Sequence, residues 1–348
     1  MTLAEYTIPA RYFEEHPSGK IRCTLCPLLC LIGEGKDGVC GTRRVRNGVL
    51  EAINWGMVSS AVVDPIEKKP LYHFYPTSGV LSFGGLGCNQ ACLHCQNSSI
   101  STPKITNENV IPGQSWSPDK IVNAALKNHA DGIAFTYNEP TIWLEWALEC
   151  CKLAKENGLY TVFVTNAYIE QQPLDDIAPY LDGYAADLKG WGQKFFTKFA
   201  RAPKWEKIPE AISRAKNVHG MHVEVTTNVV PGFNDDDETY NEISDWILSE
   251  LGELTVWHIS RFYPQHKLAH LEPTPIDNMV HGREIGIRKG LKYVYLGNVH
   301  GMENVEDTHC PECARVLITR RGYNTRIVGL DGDKCAGCGV STGIIVKK

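Results

Sequence analysis

No stretch of this 348-residue sequence reaches the run of about 18 uninterrupted apolar residues that a membrane-spanning helix requires. A membrane protein is therefore not expected. Basic charge is also in short supply: 35 Lys and Arg against 40 Asp and Glu leave a formal net charge of −5. Tight polyanion binding needs many cations to neutralise phosphates, so nucleic acid is not the favoured partner. The first residues, Met-Thr-Leu-Ala-Glu-Tyr, lack the basic region followed by an apolar region of a secretory signal, which points to the cytoplasm. There is no internal repeat, no low-complexity tract, no Walker loop and no Gly-x-Gly-x-x-Gly after the first strand of the α/β region; Gly33-Glu-Gly-Lys36 is followed by Asp37 rather than Ser or Thr. With 43% apolar and 22% charged residues, the chain is not disordered and can bury a sizeable core.

Cysteine, by contrast, is abundant. Thirteen is an odd number in a chain without an export signal, and a reducing compartment disfavours structural disulfides, so metal ligation explains them better than pairing. Eleven fall at ligand-like spacings: Cys23, Cys26, Cys30 and Cys40; Cys88, Cys92 and Cys95; Cys310, Cys313, Cys335 and Cys338. The other two, Cys150 and Cys151, sit in a stretch of helical apolar periodicity ending at Gly158 and are expected as small core side chains.

From Val80 onward, strand-like runs alternate with helical stretches. Strands are expected at 80–87, 132–137, 159–165, 183–188, 222–230, 254–259 and 292–296, and helices near 118–129, 141–157, 207–218, 236–251 and 276–289. Strands separated by helices make a parallel sheet, and six or seven such units can curl into a partial or full (β/α) barrel. The expected fold is thus an α/β barrel over residues 80–300, flanked by a Cys-quartet module at 1–79 and a ribbon-like module at 301–348. Neither flank is large enough to build a convincing core without a staple.

Cys88-Asn-Gln-Ala-Cys92-Leu-His-Cys95 directly follows the first expected barrel strand, at the rim where such barrels hold their active sites. A [4Fe–4S] cluster held by only three thiolates leaves one iron free to bind a small molecule and pass it an electron. A zinc knuckle would need His94 as a fourth ligand within the same tight loop, which is strained.

The Cys-x3-Cys-x2-Cys spacing, with His94 in the slot before the last Cys that is usually aromatic, resembles the radical S-adenosylmethionine (radical SAM) enzymes. Arg22-Cys-Thr-Leu-Cys-Pro-Leu-Leu-Cys30, Asp64-Pro-Ile-Glu-Lys-Lys-Pro-Leu-Tyr-His73, Thr136-Tyr-Asn-Glu-Pro140, Ala186-Asp-Leu-Lys189 and Val230-Pro-Gly-Phe-Asn-Asp235 look like the AmmeMemoRadiSam-type branch, relatives of the pyruvate formate-lyase activating enzymes. The resemblance implies a radical SAM barrel and a reduced cluster that chelates the methionine end of SAM. It also implies one-electron cleavage to methionine and a 5′-deoxyadenosyl radical, followed by hydrogen abstraction from a substrate. A low-potential electron donor such as ferredoxin or flavodoxin is implied as partner, and the substrate, small molecule or protein, is left unnamed.

The resemblance places Asn138 and Glu139 at the SAM amino group, although Tyr137 and Asn138 stand where the family usually has glycines; a helix-entry cap with Pro140 is the structural alternative. Asp187 and Lys189 would support bound SAM or pair with each other. Val164 stands where the activating enzymes carry an Asp of a cation site, and Thr226 where they carry an Arg, so neither the cation nor that SAM contact is carried over. Glu224, Thr226 and Asn228 share one strand face, which a wet cavity inside the barrel would explain. His258 and Arg261 follow at the next strand, with Arg261 as a replacement partner for the SAM carboxylate and a satisfied core histidine as the alternative for His258.

Cys310-Pro-Glu-Cys313 and Cys335-Ala-Gly-Cys338, separated by 21 residues, form a zinc-ribbon pattern in which iron–sulfur ligation stays open. The N-terminal four are equally open to zinc or an auxiliary [4Fe–4S] cluster. Seven basic and three acidic residues from Cys310 to Lys348 make a local surplus, read as a solvated face. Two further functions stand beside the radical SAM enzyme. One is an activating enzyme that installs a glycyl radical on a partner protein, although residues 96–118 contain no Cys for the dicluster insert that some activases carry. The other is a non-catalytic metal-binding adaptor for RNA or protein, against which the incomplete Cys88–Cys95 triad argues, since a structural site would be closed.

Overall fold

The computed structural model describes residues 2–102, 105–106, 115–299, 301–302 and 304–347. Its centre is one eight-stranded sheet in which every strand pairs with its neighbour in sequence. The strands are β1 (Ser60–Pro65), β2 (Gly79–Gly84), β3 (Gly132–Phe135), β4 (Tyr160–Thr165), β5 (Gly183–Asp187), β6 (His222–Val229), β7 (Trp257–Arg261) and β8 (Val294–Gly297). From β2 to β8 all pairs are parallel, whereas β1 runs antiparallel to β2, matching Ser60 with Gly84 and Pro65 with Gly79. Among the described residues no ladder joins β8 to β1, and the sheet is a partial barrel.

Apolar runs become strands here because helices cover them on the outside and the barrel interior lies on the inside. All four residues of β3 are buried, as a parallel strand covered on both faces requires. The helix Pro118–Lys127 starts where Ser117 accepts a hydrogen bond from Lys120 N at 3.2 Å with Pro118 in the first turn. Leu144–Glu156 buries Cys150 and Cys151 completely, as their helical setting predicts. Ile276–Lys289 matches its expected span, while 236–251 divides into the α-helix Asp237–Trp246 and a π-turn, Ile247–Leu251.

The strand expected at 254–259 begins at Trp257 instead, because Thr255 N donates to Gly252 O at 3.1 Å and holds the chain in a turn. The shift puts His258 and Ser260 within the strand and Arg261 at its last position. Two seven-residue helices, Gln171–Ile177 and Gln193–Phe199, and the edge strand β1 fall outside the sequence expectations.

Before β1, the chain forms two small antiparallel sheets, Ile8–Pro9 with Val49–Ala52 and Arg43–Arg46, and Phe13–Glu15 with Ile21–Cys23 and Leu31–Ile32. After β8 comes a ribbon of Thr308–His309, Val316–Arg321 and Asn324–Ile327. The ribbon leans on β8 and on the segment after β1: Tyr295 and Thr308 share a hydroxyl hydrogen bond of 2.7 Å, Tyr293 Oη donates to Thr342 O at 3.1 Å, and Arg320 Nη2 donates to Tyr72 O at 2.8 Å. Among the described residues, no helix is long and apolar enough to cross a membrane.

Candidate active site at the cysteine loop

The loop that carries Cys88, Cys92 and Cys95 leaves the C-terminal end of β2 through Gly84, Gly85 and Gly87. A Cβ on Gly85 would stand 2.6 Å from the Trp143 ring, and one on Gly87, whose φ is +90°, would stand 2.5 Å from the Cys40 carbonyl oxygen. Only glycine lets the loop pass that close. Asn138 braces it from the end of β3, accepting from Gly85 N at 3.0 Å and donating to Gly87 O at 2.9 Å. Gln90 N donates to Cys88 Sγ at 3.4 Å, and Asn166 Nδ2 lies 3.8 Å from the same sulfur. His94, in the aromatic slot of the motif, stacks on Phe199 with ring centroids 4.7 Å apart.

Burial pushes the Cys92 thiol up to about 12 despite the nearby Lys189, and it pushes the Cys88 thiol well up, helped by the charge of Glu139. Thiols held this way stay protonated until a metal takes the proton's place. Burial likewise holds the His94 imidazole down at about 3, and Lys189 adds to the effect.

All three cysteines open onto a cavity of about 1080 Å³ that also meets Asn138, Asn166, Asp187, Lys189 and Asn228. Lys189 Nζ is 2.8 Å from Asp187 Oδ2. Burial alone would lower the lysine's affinity for its proton; the charge and hydrogen bond of the Asp187 carboxylate outweigh it and keep the side chain charged. Two polar atoms on β6, Thr226 Oγ1 and Asn228 Oδ1, are buried without a hydrogen-bond partner. Unpaired polar groups are costly unless a bound molecule completes them.

The structure sorts the remaining expected residues differently. Glu139 is fully buried beneath the cavity, accepting from Thr141 N at 2.9 Å, Thr165 Oγ1 at 2.7 Å and Asn166 N at 2.8 Å. It is the helix-entry cap, and it ties the ends of β3 and β4 together. His258 Nε2 donates to Glu224 Oε2 at 2.6 Å, and the ring packs edge-on against Tyr72. Glu224 also accepts from Tyr72 N and His73 N at 2.9 and 2.7 Å, so its carboxylate is paired within the fold. Burial would raise the Glu224 pKa, but hydrogen bonds from His222 and His258 hold it well below the carboxylate range. Arg261 donates through Nε to Thr274 O at 2.8 Å, with its guanidinium over Tyr263, and does not line the cavity. Val164 does line it.

Sequence reasoning missed the cationic mouth. Lys69 Nζ and Lys68 Nζ both stand 2.8 Å from Asp64, Tyr137 Oη donates to the same carboxylate at 2.9 Å, and both lysines line the cavity. The Asp64-Pro-Ile-Glu-Lys-Lys run carried the signal, but only as a likeness without a role.

A second cavity of about 1560 Å³ shares Lys68, Gln96, Thr226, Ser260 and Asn298 with the first and reaches His258, Glu306, Arg321 and Tyr323. The ribbon therefore forms one wall of a chamber that begins at the cysteine loop.

The ribbon's own cysteines are drawn together: Cys310 Sγ is 3.5 Å from Cys338 Sγ and Cys313 Sγ is 3.6 Å from Cys335 Sγ. Among the described residues, these four form the group of three or more potential ligands whose atoms all lie within 4.8 Å of one another, a geometry that can hold a metal ion. The Cys88–Cys95 triad and the N-terminal four stand farther apart.

The three-cysteine loop at the open end of a mostly parallel α/β sheet is the arrangement of one class of iron–sulfur protein, and sequence comparison agrees. The chain belongs to the radical SAM superfamily, whose family model matches residues 84–243. It is 41% identical over 339 residues to an uncharacterized protein of Methanocaldococcus jannaschii, covering 97% of this chain and 99% of that one. It is 23% identical over 219 residues to a putative glycyl-radical enzyme activating enzyme of the same organism, covering 61% of this chain and 76% of the other. In fold it is similar to a radical SAM methyltransferase from Sphaerobacter thermophilus, with a TM-score of 0.50, 12% identity and coverage of 89% of this chain and 81% of that one. Membership of the superfamily implies a [4Fe–4S] cluster and SAM, and the wide-set thiols beside a polar cavity fit both.

Proposed function

We propose that this chain is an enzyme that cleaves SAM reductively at a [4Fe–4S] cluster held by Cys88, Cys92 and Cys95, and uses the 5′-deoxyadenosyl radical to take hydrogen from a substrate in the adjoining chamber. The observation that carries the reading is three wide-set thiols opening onto a polar cavity lined by Thr226 and Asn228, whose Oγ1 and Oδ1 are buried without hydrogen-bond partners. A cluster in that position supplies one electron to the SAM sulfonium, and the electron comes from a low-potential donor of the ferredoxin or flavodoxin class.

The chain's own residues bind and orient. Lys189 and Asp187 present a cation and a carboxylate at the cavity wall, a complement to the carboxylate and ammonium of the methionine end. Asn228 and Thr226 supply the polar groups that SAM would satisfy. Asn138 fixes the cysteine loop, and Glu139 acts beneath it as a positioning residue rather than a ligand-binding one. His258 reaches the chamber on the substrate side, and Arg261 takes no part in SAM recognition. The C-terminal quartet holds a structural zinc that keeps the ribbon in place as the chamber wall.

Similarity to the putative activating enzyme supports a second reading, in which the hydrogen comes from a glycine of a partner protein. Incubating the anaerobic, reduced protein with SAM and candidate substrates, then analysing small molecules and proteins by mass spectrometry, tests both. Substrate-dependent 5′-deoxyadenosine with a modified small molecule supports the first, and a modified glycine in a protein supports the second. Absence of SAM cleavage sinks both.

A further inference from the structure

We propose that Cys23, Cys26, Cys30 and Cys40 hold a second [4Fe–4S] cluster, closed by four thiolates. A tetrahedral zinc bound at about 2.3 Å requires sulfurs about 3.8 Å apart. The C-terminal quartet approaches that spacing at 3.5 and 3.6 Å. No three of the N-terminal four come within 4.8 Å of one another, and in this they match the Cys88–Cys95 triad. A cubane places four irons and four sulfides between its thiolates, so wide spacing suits it where a single ion would leave sulfurs out of reach.

The space between these sulfurs is enclosed. All four cysteines line one hollow with Leu25, Ile32, Ile142 and Arg43. Cys23 and Cys26 are buried.

Arg43 supplies the independent observation. It is 1% exposed, and its two terminal nitrogens donate to Glu145 at 2.5 and 2.7 Å. Its Nε is buried without a hydrogen-bond partner, and the residue lines the hollow. A buried donor left open is expensive, and a cluster's thiolates and sulfides supply the acceptor it lacks. The site also abuts the first one: the Cys40 carbonyl packs against Gly87, next to Cys88. The second cluster is thus a one-electron centre beside the first, with no open iron and no affinity for SAM.

The test uses the full chain with Cys88, Cys92 and Cys95 all changed to Ala, reconstituted anaerobically, so the result does not depend on SAM cleavage. Iron, acid-labile sulfide and zinc are measured per chain, with EPR after reduction. The expected result is about four irons and about four sulfides, one zinc, and a cluster signal that SAM does not alter. Adding Cys26→Ala should remove the iron and leave the zinc. An iron-free triple variant, with or without a second zinc, overturns the proposal, as does iron that survives Cys26→Ala. The metal content of the triple variant decides the matter even where Cys26→Ala fails to fold.

Discussion

Each end of the chain carries four cysteines within a small β-rich segment, yet the two sets differ in how their sulfurs are placed. In the C-terminal ribbon the sulfurs lie 3.5 and 3.6 Å apart in pairs, Cys313 and Cys338 are exposed, and the guanidinium of Arg315 passes close to Gly337. In the N-terminal segment they are set wider around an enclosed hollow faced by a buried arginine. The thiolate count is the same at both ends, so ligand number alone does not determine the metal. The backbone around the ligands decides how much room they enclose, and the triad at Cys88 follows the N-terminal pattern.

The widest gap should appear on removing the triad. Changing Cys88, Cys92 and Cys95 to Ala should abolish SAM cleavage, whereas Cys310→Ser should leave cleavage per cluster nearly intact. In the ribbon the loss should be one of stability: structural zinc contributes about 10–16 kcal/mol of apparent binding free energy in small fingers, so thermal melting and solubility should fall sharply together with zinc content. Cleavage that drops in parallel with zinc would erase the distinction between the two ends.

At the N-terminal end, Arg43→Met should destabilise the fold by about 3–5 kcal/mol, because it strands the buried Glu145 carboxylate. Burial would raise the Glu145 pKa, but the Arg43 cation holds it down. Replacing both partners, Arg43→Met with Glu145→Leu, should recover much of that loss in chemical denaturation, while the EPR signal of the N-terminal cluster stays shifted. Full recovery of both would reduce Arg43 to an ordinary ion-pair partner.

The corresponding cation at the triad is Lys189. Lys189→Ala should leave the cluster spectrum unchanged and raise the SAM dissociation constant by about one to two orders of magnitude, as expected for losing a charge-assisted hydrogen bond of about 1.5–3 kcal/mol. Asp187→Asn should act in the same direction, and the double variant should be less than additive. EPR titration with SAM measures all three, and unaltered affinity would make the pair purely structural.

The smallest effect concerns the mouth of the cavity. Burial would raise the Asp64 pKa, but the hydrogen bonds from Lys68 and Lys69 outweigh it and bring the carboxyl down to about 2. A depressed carboxylate stabilises the fold fully above its ordinary range and loses that contribution as the pH falls toward about 2. Asp64→Asn should therefore flatten the acid limb of the stability profile, measured by denaturation across that interval. An unchanged limb would show that the carboxylate's pairing adds nothing to folding.

Much of this was legible in the sequence because the informative signals are local. Three cysteines in eight residues after a strand, and an apolar period running from Ile276 to Lys289, need no distant partner to be read. The edge strand Ser60–Pro65 has no clear alternation, since Val62 and Val63 are both exposed, and the seven-residue helices are too short to show a period. The side chains around the cavity were harder. Glu139 is drawn under the loop by Thr165 and Asn166 of another strand, and Arg261 is held aside by the Thr274 carbonyl 13 residues on. Such partners are set by packing, which spacing along the chain does not report.

The most direct measurement is 5′-deoxyadenosine formed from SAM by the reduced, anaerobic protein, compared with the Cys88, Cys92 and Cys95 to Ala variant. Formation by the native chain and none by the variant is the expected result. No product from the native chain when its cluster is fully reconstituted, or equal product from the variant, would contradict the assignment of SAM cleavage to the Cys88–Cys95 loop.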